Sequence, residues 1–276
     1  MNQMETMEKD GVVYLRFPLL ENTGLVTHAF STRKGGVSQG IYAQMNFAVR
    51  DGDTPENVRE NYRRMASALG VEPGQMVLSQ QTHTTNLRVV TRTDAGKGVT
   101  RQRDYTDVDG LLTGEPGLML VTFYADCVPL YFLDPVHRAI GLSHSGWRGT
   151  VGGMGRKTVE WMGQEFGSRP EELLACIGPS ICQSCYEVSE DVAEAFRQAF
   201  PEEEHPLILE SKGDGKYQLD LWEANRRILL RAGLRPEHIQ VAGLCTCCHP
   251  DLLFSHRATG GKRGTLAAFL MLKEEH

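Results

Sequence analysis

Cys127 and His144 flank an apolar run whose middle, Asp134-Pro135-Val136-His137, has the composition of a tight β-turn. If Asp134 pairs with His137 across that turn, Cys127 falls opposite His144 on one face, with Cβ atoms about 4.5 to 5.5 Å apart. A thiol and an imidazole so placed suit either two ligands on one metal or a thiolate activated by a base. A one-residue slip would part them, and Pro129, which has no N–H for the ladder, marks a place for a bulge.

Beyond His144, Ser145-Gly146-Trp147-Arg148-Gly149 leads into an expected helix from about Thr150 to Phe166. A glycine-rich approach to a helix N-terminus offers free N–H groups to an anion, and Arg148 would add a forked donor for phosphate or carboxylate. A plain tight turn with a surface arginine is the alternative. His83 lies in a polar link, Ser79 to Asn86, between two apolar runs; a loop histidine taken alone is more often polar surface than a ligand. A second thiol group, Cys182-x2-Cys185 with Cys245-x-Cys247-Cys248-His249, offers ligands for a structural zinc. The spacing is clean only if Cys245 pairs with Cys248, and, free cysteine being a common small core residue, buried thiols are favoured instead.

The elements that must position these groups follow from caps and periodicity. Thr54-Pro55 opens a helix with Val58, Tyr62, Met65 and Leu69 on one face and Gly70 as its stop. A second helix follows Ser189, with Val192, Phe196 and Phe200 on one side and Pro201 ending it. A third opens at Asp220, with Glu223 at capping-box spacing, and stops at Gly233. Between them lie β-rich runs at Val12–Phe17, Leu25–Phe30, Met76–Leu78, Leu87–Thr91, Leu118–Tyr124, Leu130–Leu133, Ala139–Ser143, Leu174–Ile177 and Ile239–Ala242. Strands and helices mix without strict alternation, which predicts an α+β fold with mixed or antiparallel sheets rather than a doubly wound one. Gly152-Gly153-Met154-Gly155 is too loose for a dinucleotide loop, and no P-loop ending occurs.

The 276 residues can bury a full core, and without a repeat or a linker they read as one domain, 1–276. A net charge of -6 leaves no basic surplus for nucleic acid or an anionic membrane. The polar, acidic start from Met1 to Asp10 lacks a signal peptide's apolar core, and the longest apolar stretch, Gly117 to Leu133, is broken by Asp126 and Pro129. A cytoplasmic protein is expected. Seven cysteines, an odd number in a large chain, then favour thiols or metal ligands over disulfides.

Several motifs, in order along nearly the whole chain, resemble those of the YfiH family, also called the laccase-domain or polyphenol-oxidase family. They are Ser31-Thr32-Arg33-Lys34-Gly35-Gly36-Val37-Ser38, Gln81-x-His83, Ala125-Asp126-Cys127-x-Pro129 and His144-x-Gly146-Trp147-Arg148-Gly149. Gly178-Pro179 with Glu187-Val188, Cys245-Thr246 and Phe254-Ser255-x-Arg257 follow. The resemblance implies a zinc site on His83, Cys127 and His144 with an open fourth position, zinc being the expected cofactor and copper the alternative. It implies an α+β fold with mixed β-sheets in an α/β/β/α layered arrangement, similar to the catalytic domain of the deamidating CNF toxin. It also implies purine nucleosides and phosphate as partners, with phosphorolysis of adenosine, inosine, guanosine and methylthioadenosine, and deamination of adenosine. Substrate contacts are expected at Arg33, Asn46, Gln81, Arg148 and Arg257, with Asp126 as the proton-carrying carboxylate beside Cys127. The chain departs from the family where Asn46-Phe47-Ala48-Val49-Arg50-Asp51-Gly52-Asp53 replaces a His by Arg50, and where Thr259-Gly260-Gly261-Lys262-Arg263 breaks up a Thr-Gly-Arg.

Two other enzymes share these residues. A laccase needs a His-rich copper cluster, which nine histidines without a His-x-His pattern do not suggest, although adventitious copper at the same three ligands could give weak oxidase activity. A metal-free hydrolase would use Cys127 as nucleophile and His144 as base. A module in which zinc only staples strands is the non-enzymatic alternative, and would fill all four positions on the metal.

Overall fold

The computed structural model describes residues 4–49 and 52–274. Arg50, where the family pattern has His, lies outside the described residues. Strands are numbered in chain order. The first sheet runs β1 (Glu5–Lys9), β2 (Val12–Arg16), β3 (Val26–Ser31), β15 (Leu266–Leu272), β7 (Met119–Tyr124) and β4 (Met76–Leu78). The second runs β14 (Ile239–Val241), β10 (Leu174–Ile177), β8 (Val128–Asp134), β9 (Ala139–Ser145), β6 (Gly110–Thr113) and β5 (Leu87–Val89). A smaller sheet joins β11 (Glu187–Ser189), β13 (Lys216–Leu219) and β12 (Leu209–Gly213). Both large sheets are mixed: β4 with β7, β10 with β14 and β5 with β6 are parallel, and the other pairs antiparallel.

Period-2 geometry makes the layers. Along β8, Tyr131 and Leu133 face the first sheet in a shared core with Leu15, Phe30 and Leu120, while Leu130 and Phe132 face helices Met154–Phe166 and Leu221–Arg231. Along β15, Ala268 and Leu270 enter the core between the sheets, and Phe269 packs outward against Met65 of helix Pro55–Leu69. Each central strand is therefore buried on both sides, and each large apolar side chain so placed contributes about 1.5 to 3 kcal/mol. The result is helix, sheet, sheet, helix: the α+β arrangement in α/β/β/α layers.

Helix ends follow their caps. Thr54 accepts from Asn57 N–H at 3.2 Å, and Gly70 closes that helix at φ 72°. Asp220 accepts from Glu223 N–H at 2.9 Å. The helix expected from Thr150 to Phe166 is instead two pieces, Trp147–Val151 and Met154–Phe166, because Gly153 takes φ 74° and breaks the ladder between them. Strand β15 is absent from the sequence expectation: Leu-Ala-Ala-Phe-Leu-Met-Leu has neither alternation nor β-branching, since both its faces are buried. No helix is long and apolar enough to cross a membrane among the described residues.

The hairpin between β8 and β9 differs in register from its expectation. Asp134 pairs with Ala139, not His137, and Pro129 lies opposite His144. Asp134 Oδ1 accepts from Val136 and His137 N–H at 2.8 and 3.0 Å, an Asx-type turn that lengthens the loop to Pro135–Arg138. The ladder runs through Pro129 without a bulge. A shift of two residues leaves every side chain on its original face, so Cys127 and His144 still converge.

Candidate metal centre

Three segments converge where the chain passes from one large sheet to the other. Ala125-Asp126-Cys127 is the crossing itself, between β7 and β8. Asp126 turns the chain there with φ 88°, a left-handed conformation that Asp tolerates better than most residues. His144 sits near the end of β9, and His83 lies in the loop between β4 and β5 with φ 67°. One ligand atom from each of His83, Cys127 and His144 falls within 4.8 Å of the others, and the two imidazoles meet edge to face at 4.9 Å between centroids.

Asp109, buried just ahead of β6, organises the centre. Its Oδ1 accepts from His144 Nδ1 at 2.8 Å and from His83 N–H at 3.0 Å. Its Oδ2 accepts from the N–H groups of Thr82 and Thr84 at 2.9 and 3.1 Å, and from the Thr84 hydroxyl at 3.0 Å. Three successive N–H groups thus form a nest around one carboxylate, and the left-handed His83 backbone is part of that nest. Burial would raise the Asp109 carboxyl, but the His144 hydrogen bond and the N–H donors hold it below its usual value. With Nδ1–H committed to Asp109, His144 presents Nε2 to the centre, the arrangement by which carboxylates orient histidine ligands.

Burial pushes the Cys127 thiol up, yet the charge and hydrogen bonds of His144 and His83 outweigh it and bring the thiol down to about 6. Burial likewise opposes charge on His144, while Cys127 and Asp109 raise it to about 9. Without metal at neutral pH the pair is therefore thiolate and imidazolium. Gly146 leaves the room: a Cβ there would lie 3.0 Å from Cys127 Sγ and 3.4 Å from His83 Cδ2. Two nitrogens and one thiolate around a gap that a methyl group would fill fit a zinc ion with an open position.

The centre lies on the wall of a cavity of about 450 Å³. Its lining includes Phe47, Tyr62, Gln81, Phe123 and Tyr124, together with the cations Arg103 and Arg263 among the described residues. Of the expected substrate contacts only Gln81 is there. Its side-chain amide is spent on Phe123, accepting from N–H and donating to C=O, both at 2.7 Å, which pins the His83 loop to β7.

The others are placed elsewhere. Arg33 donates to the carbonyls of Ala43 and Pro250 at 2.8 and 2.6 Å and stacks on Phe254. Asn46 is fully buried, bonded to Ala48, Asp53 and Thr265. Arg148 lies over Trp147, and Arg257 lies over Tyr186 and donates to the Glu187 carbonyl at 2.9 Å. Neither lines the cavity, although Arg257 touches the Cys127 loop through its backbone N–H on Asp126. Asp126 is a clasp: Oδ1 accepts from the Thr246 hydroxyl at 2.6 Å and Oδ2 from Arg257 N–H at 2.7 Å. Asp109, Arg103 and Arg263 had no place in the sequence expectation as functional residues. Asp107-x-Asp109-Gly110, a carboxylate pair just before an apolar run, was the one available signal for the first of them.

The chain is similar to known proteins along nearly its whole length. The family model described as "Multi-copper polyphenol oxidoreductase laccase" matches residues 27–273. Purine nucleoside phosphorylase YlmD of Bacillus subtilis is 38% identical over 258 residues, covering 92% of this chain and 91% of the relative. Adenosine deaminase RL5, from an unknown prokaryotic organism, is 33% identical over 238 residues, 86% of this chain and 90% of the relative. The crystal structure of YlmD from Geobacillus stearothermophilus superposes with a TM-score of 0.91 at 35% identity, covering 99% of this chain and 100% of that one.

Proposed function

This chain belongs to the multi-copper polyphenol oxidoreductase laccase family, and from that premise we propose that it is a zinc-dependent purine nucleoside phosphorylase, which also deaminates adenosine and phosphorolyses methylthioadenosine at the same site. The observation that carries the reading is the convergence of His83, Cys127 and His144, with His144 oriented by Asp109, on the wall of a cavity large enough for a nucleoside. The names of the relatives supply the substrate class.

His83, Cys127 and His144 would hold the zinc, which when bound supplies a Lewis acid. The remaining work falls to the chain itself. Phosphorolysis needs phosphate held at the anomeric carbon while positive charge develops on the sugar and the purine leaves. Among the described residues Arg103 and Arg263 are the cations on the cavity wall and would bind that phosphate. Phe47, Phe123 and Tyr124 give the same wall its apolar part and would exclude water around the nucleoside. Asp126, with both oxygens already accepting, keeps Cys127 in line and is a positioning residue rather than a proton carrier.

A metal-free hydrolase is the second reading, favoured by the thiolate–imidazolium state of Cys127 and His144. A copper polyphenol oxidase has less support: among the described residues no cluster of metal-capable side chains gathers more than two histidines. Metal content of untagged protein, with adenosine turnover in the presence and absence of phosphate for wild type and Cys127→Ala, decides between them. Zinc in the centre and phosphate-dependent adenine release, both lost in the variant, are expected. Activity that survives chelation but not alkylation would overturn the zinc reading in favour of the hydrolase.

A further inference from the structure

Away from the cavity, the fold brings the second set of cysteines together. Cys182 and Cys185 belong to the turn after β10, and Cys245 and Cys248 to the turn after β14, its parallel neighbour. All four sulfurs lie within 4.8 Å of one another. Cys185 Sγ and Cys248 Sγ are 3.4 Å apart, and Cys182 Sγ and Cys248 Sγ 4.0 Å. A tetrahedral zinc with Zn–S bonds of about 2.3 Å requires S···S edges of about 3.8 Å. The spacing resolves as two Cys-x2-Cys pairs, Cys182 with Cys185 and Cys245 with Cys248, once Cys247 is seen to stand outside the group.

A second observation supports ligation. Cys245 Sγ is buried and receives two backbone N–H groups, from Cys182 at 3.3 Å and Cys248 at 3.4 Å, which stabilise charge on a thiolate sulfur. Cys248, by contrast, is exposed, so an ion can reach the group from solvent.

We propose that Cys182, Cys185, Cys245 and Cys248 form a second, structural metal site, a four-thiolate zinc centre separate from the His83–Cys127–His144 centre. Four protein sulfurs fill the coordination sphere, so this ion binds no substrate. Each cysteine gives up its thiol proton and forms one Zn–S bond, with no oxidation or reduction. The ion staples two turns whose inner residues clasp the catalytic crossing. Ile181 N–H donates to the Asp126 carbonyl at 3.0 Å, and the Thr246 hydroxyl donates to the Asp126 carboxylate. The two turns also bond each other, Thr246 N–H to the Ser180 carbonyl at 3.1 Å. The second ion would thereby hold Asp126, and through it Cys127, in place.

The test uses the full chain, reduced, stripped by chelator and reloaded with zinc alone or cobalt(II) alone. Wild type is expected to take up two zinc ions and Cys127→Ala one. Cobalt-loaded Cys127→Ala should show the intense visible bands and thiolate charge transfer of a tetrahedral four-sulfur site. Cys248→Ser, at an exposed position that folding tolerates, should weaken that charge transfer by about one thiolate in four. No uptake by folded Cys127→Ala, a cobalt spectrum lacking four-thiolate character, or a Cys185–Cys248 disulfide in protein purified without oxygen would each overturn the proposal. Should Cys127→Ala bind one ion and wild type also only one, the cavity centre fails and the four-cysteine site stands.

Discussion

His144 Nδ1 and His83 N–H converge on one oxygen of Asp109, at 2.8 and 3.0 Å, so a single buried carboxylate sets the ring of one ligand and the loop of another. Replacing that carboxylate by its amide should therefore damage the centre without emptying the core. Asp109→Asn is expected to lower zinc affinity by about 10- to 100-fold, read by competition with a chromophoric chelator. Unchanged affinity would show that the ligands need no support from Asp109.

Gly146 offers a cleaner probe, because its φ of -71° suits any residue while its missing Cβ does not. Gly146→Ala puts a methyl group 3.0 Å from Cys127 Sγ. Thermal stability of the metal-free chain should change little, within about 1 kcal/mol. Zinc affinity should fall at least tenfold, and a variant that binds zinc like wild type would place the ion away from the gap.

Arg103 and Arg263 can be separated from the chemistry by substrate. A charged hydrogen bond is worth about 1.5 to 3 kcal/mol, so Arg103→Met or Arg263→Met should raise the phosphate KM by roughly tenfold or more. Deamination of adenosine, which consumes no phosphate, should keep its rate within a few-fold. Equal loss in both reactions would assign these arginines to the nucleoside or to the fold.

His28 makes the protein acid-sensitive at a distance from the cavity. Burial, helped by the nearby charge of Arg16, pushes its imidazole down to about 3, and Nε2 accepts from Phe17 N–H at 2.8 Å. The folded form stays neutral while the unfolded chain titrates near 6.5, so the unfolded state binds the extra proton below that pH. The contribution is full well above pH 6.5 and is lost as pH falls toward 3, the loss reaching about 2 kcal/mol at pH 5. Denaturant unfolding at pH 8 and pH 5 should show a smaller drop for His28→Gln than for wild type; equal drops would refute it.

Much of this was legible in the sequence for local reasons. Thr54, Gly70 and Asp220 mark helix ends by hydrogen bonds made within a few residues. The meeting of Cys127 and His144 survived a mistaken turn because the error was an even number of residues and strand faces alternate with period two. What escaped depends on long-range placement. Asp109 matters only because the Thr82–Thr84 nest folds over it, and Arg103 and Arg263 only because two distant loops meet at the cavity. Arg33 and Asn46 show the converse: Arg33 ties loops together away from the cavity, and Asn46 sits behind its wall, bonded to the lining residues Ala48 and Thr265. The four-thiol group was obscured by Cys247, which interrupts the pair spacing but is not one of the four converging sulfurs.

Strand β15 carries a consequence for how the molecule is made. In the first sheet β3 and β7 touch only through it, and its flanking residues Arg263 and Thr265 close one side of the cavity. A nascent chain leaving the ribosome must therefore carry two unsatisfied strand edges until residue 272 has emerged. Cavity and sheet complete together at that moment, so β15, made after every other described strand of both large sheets, is the one that makes the site competent.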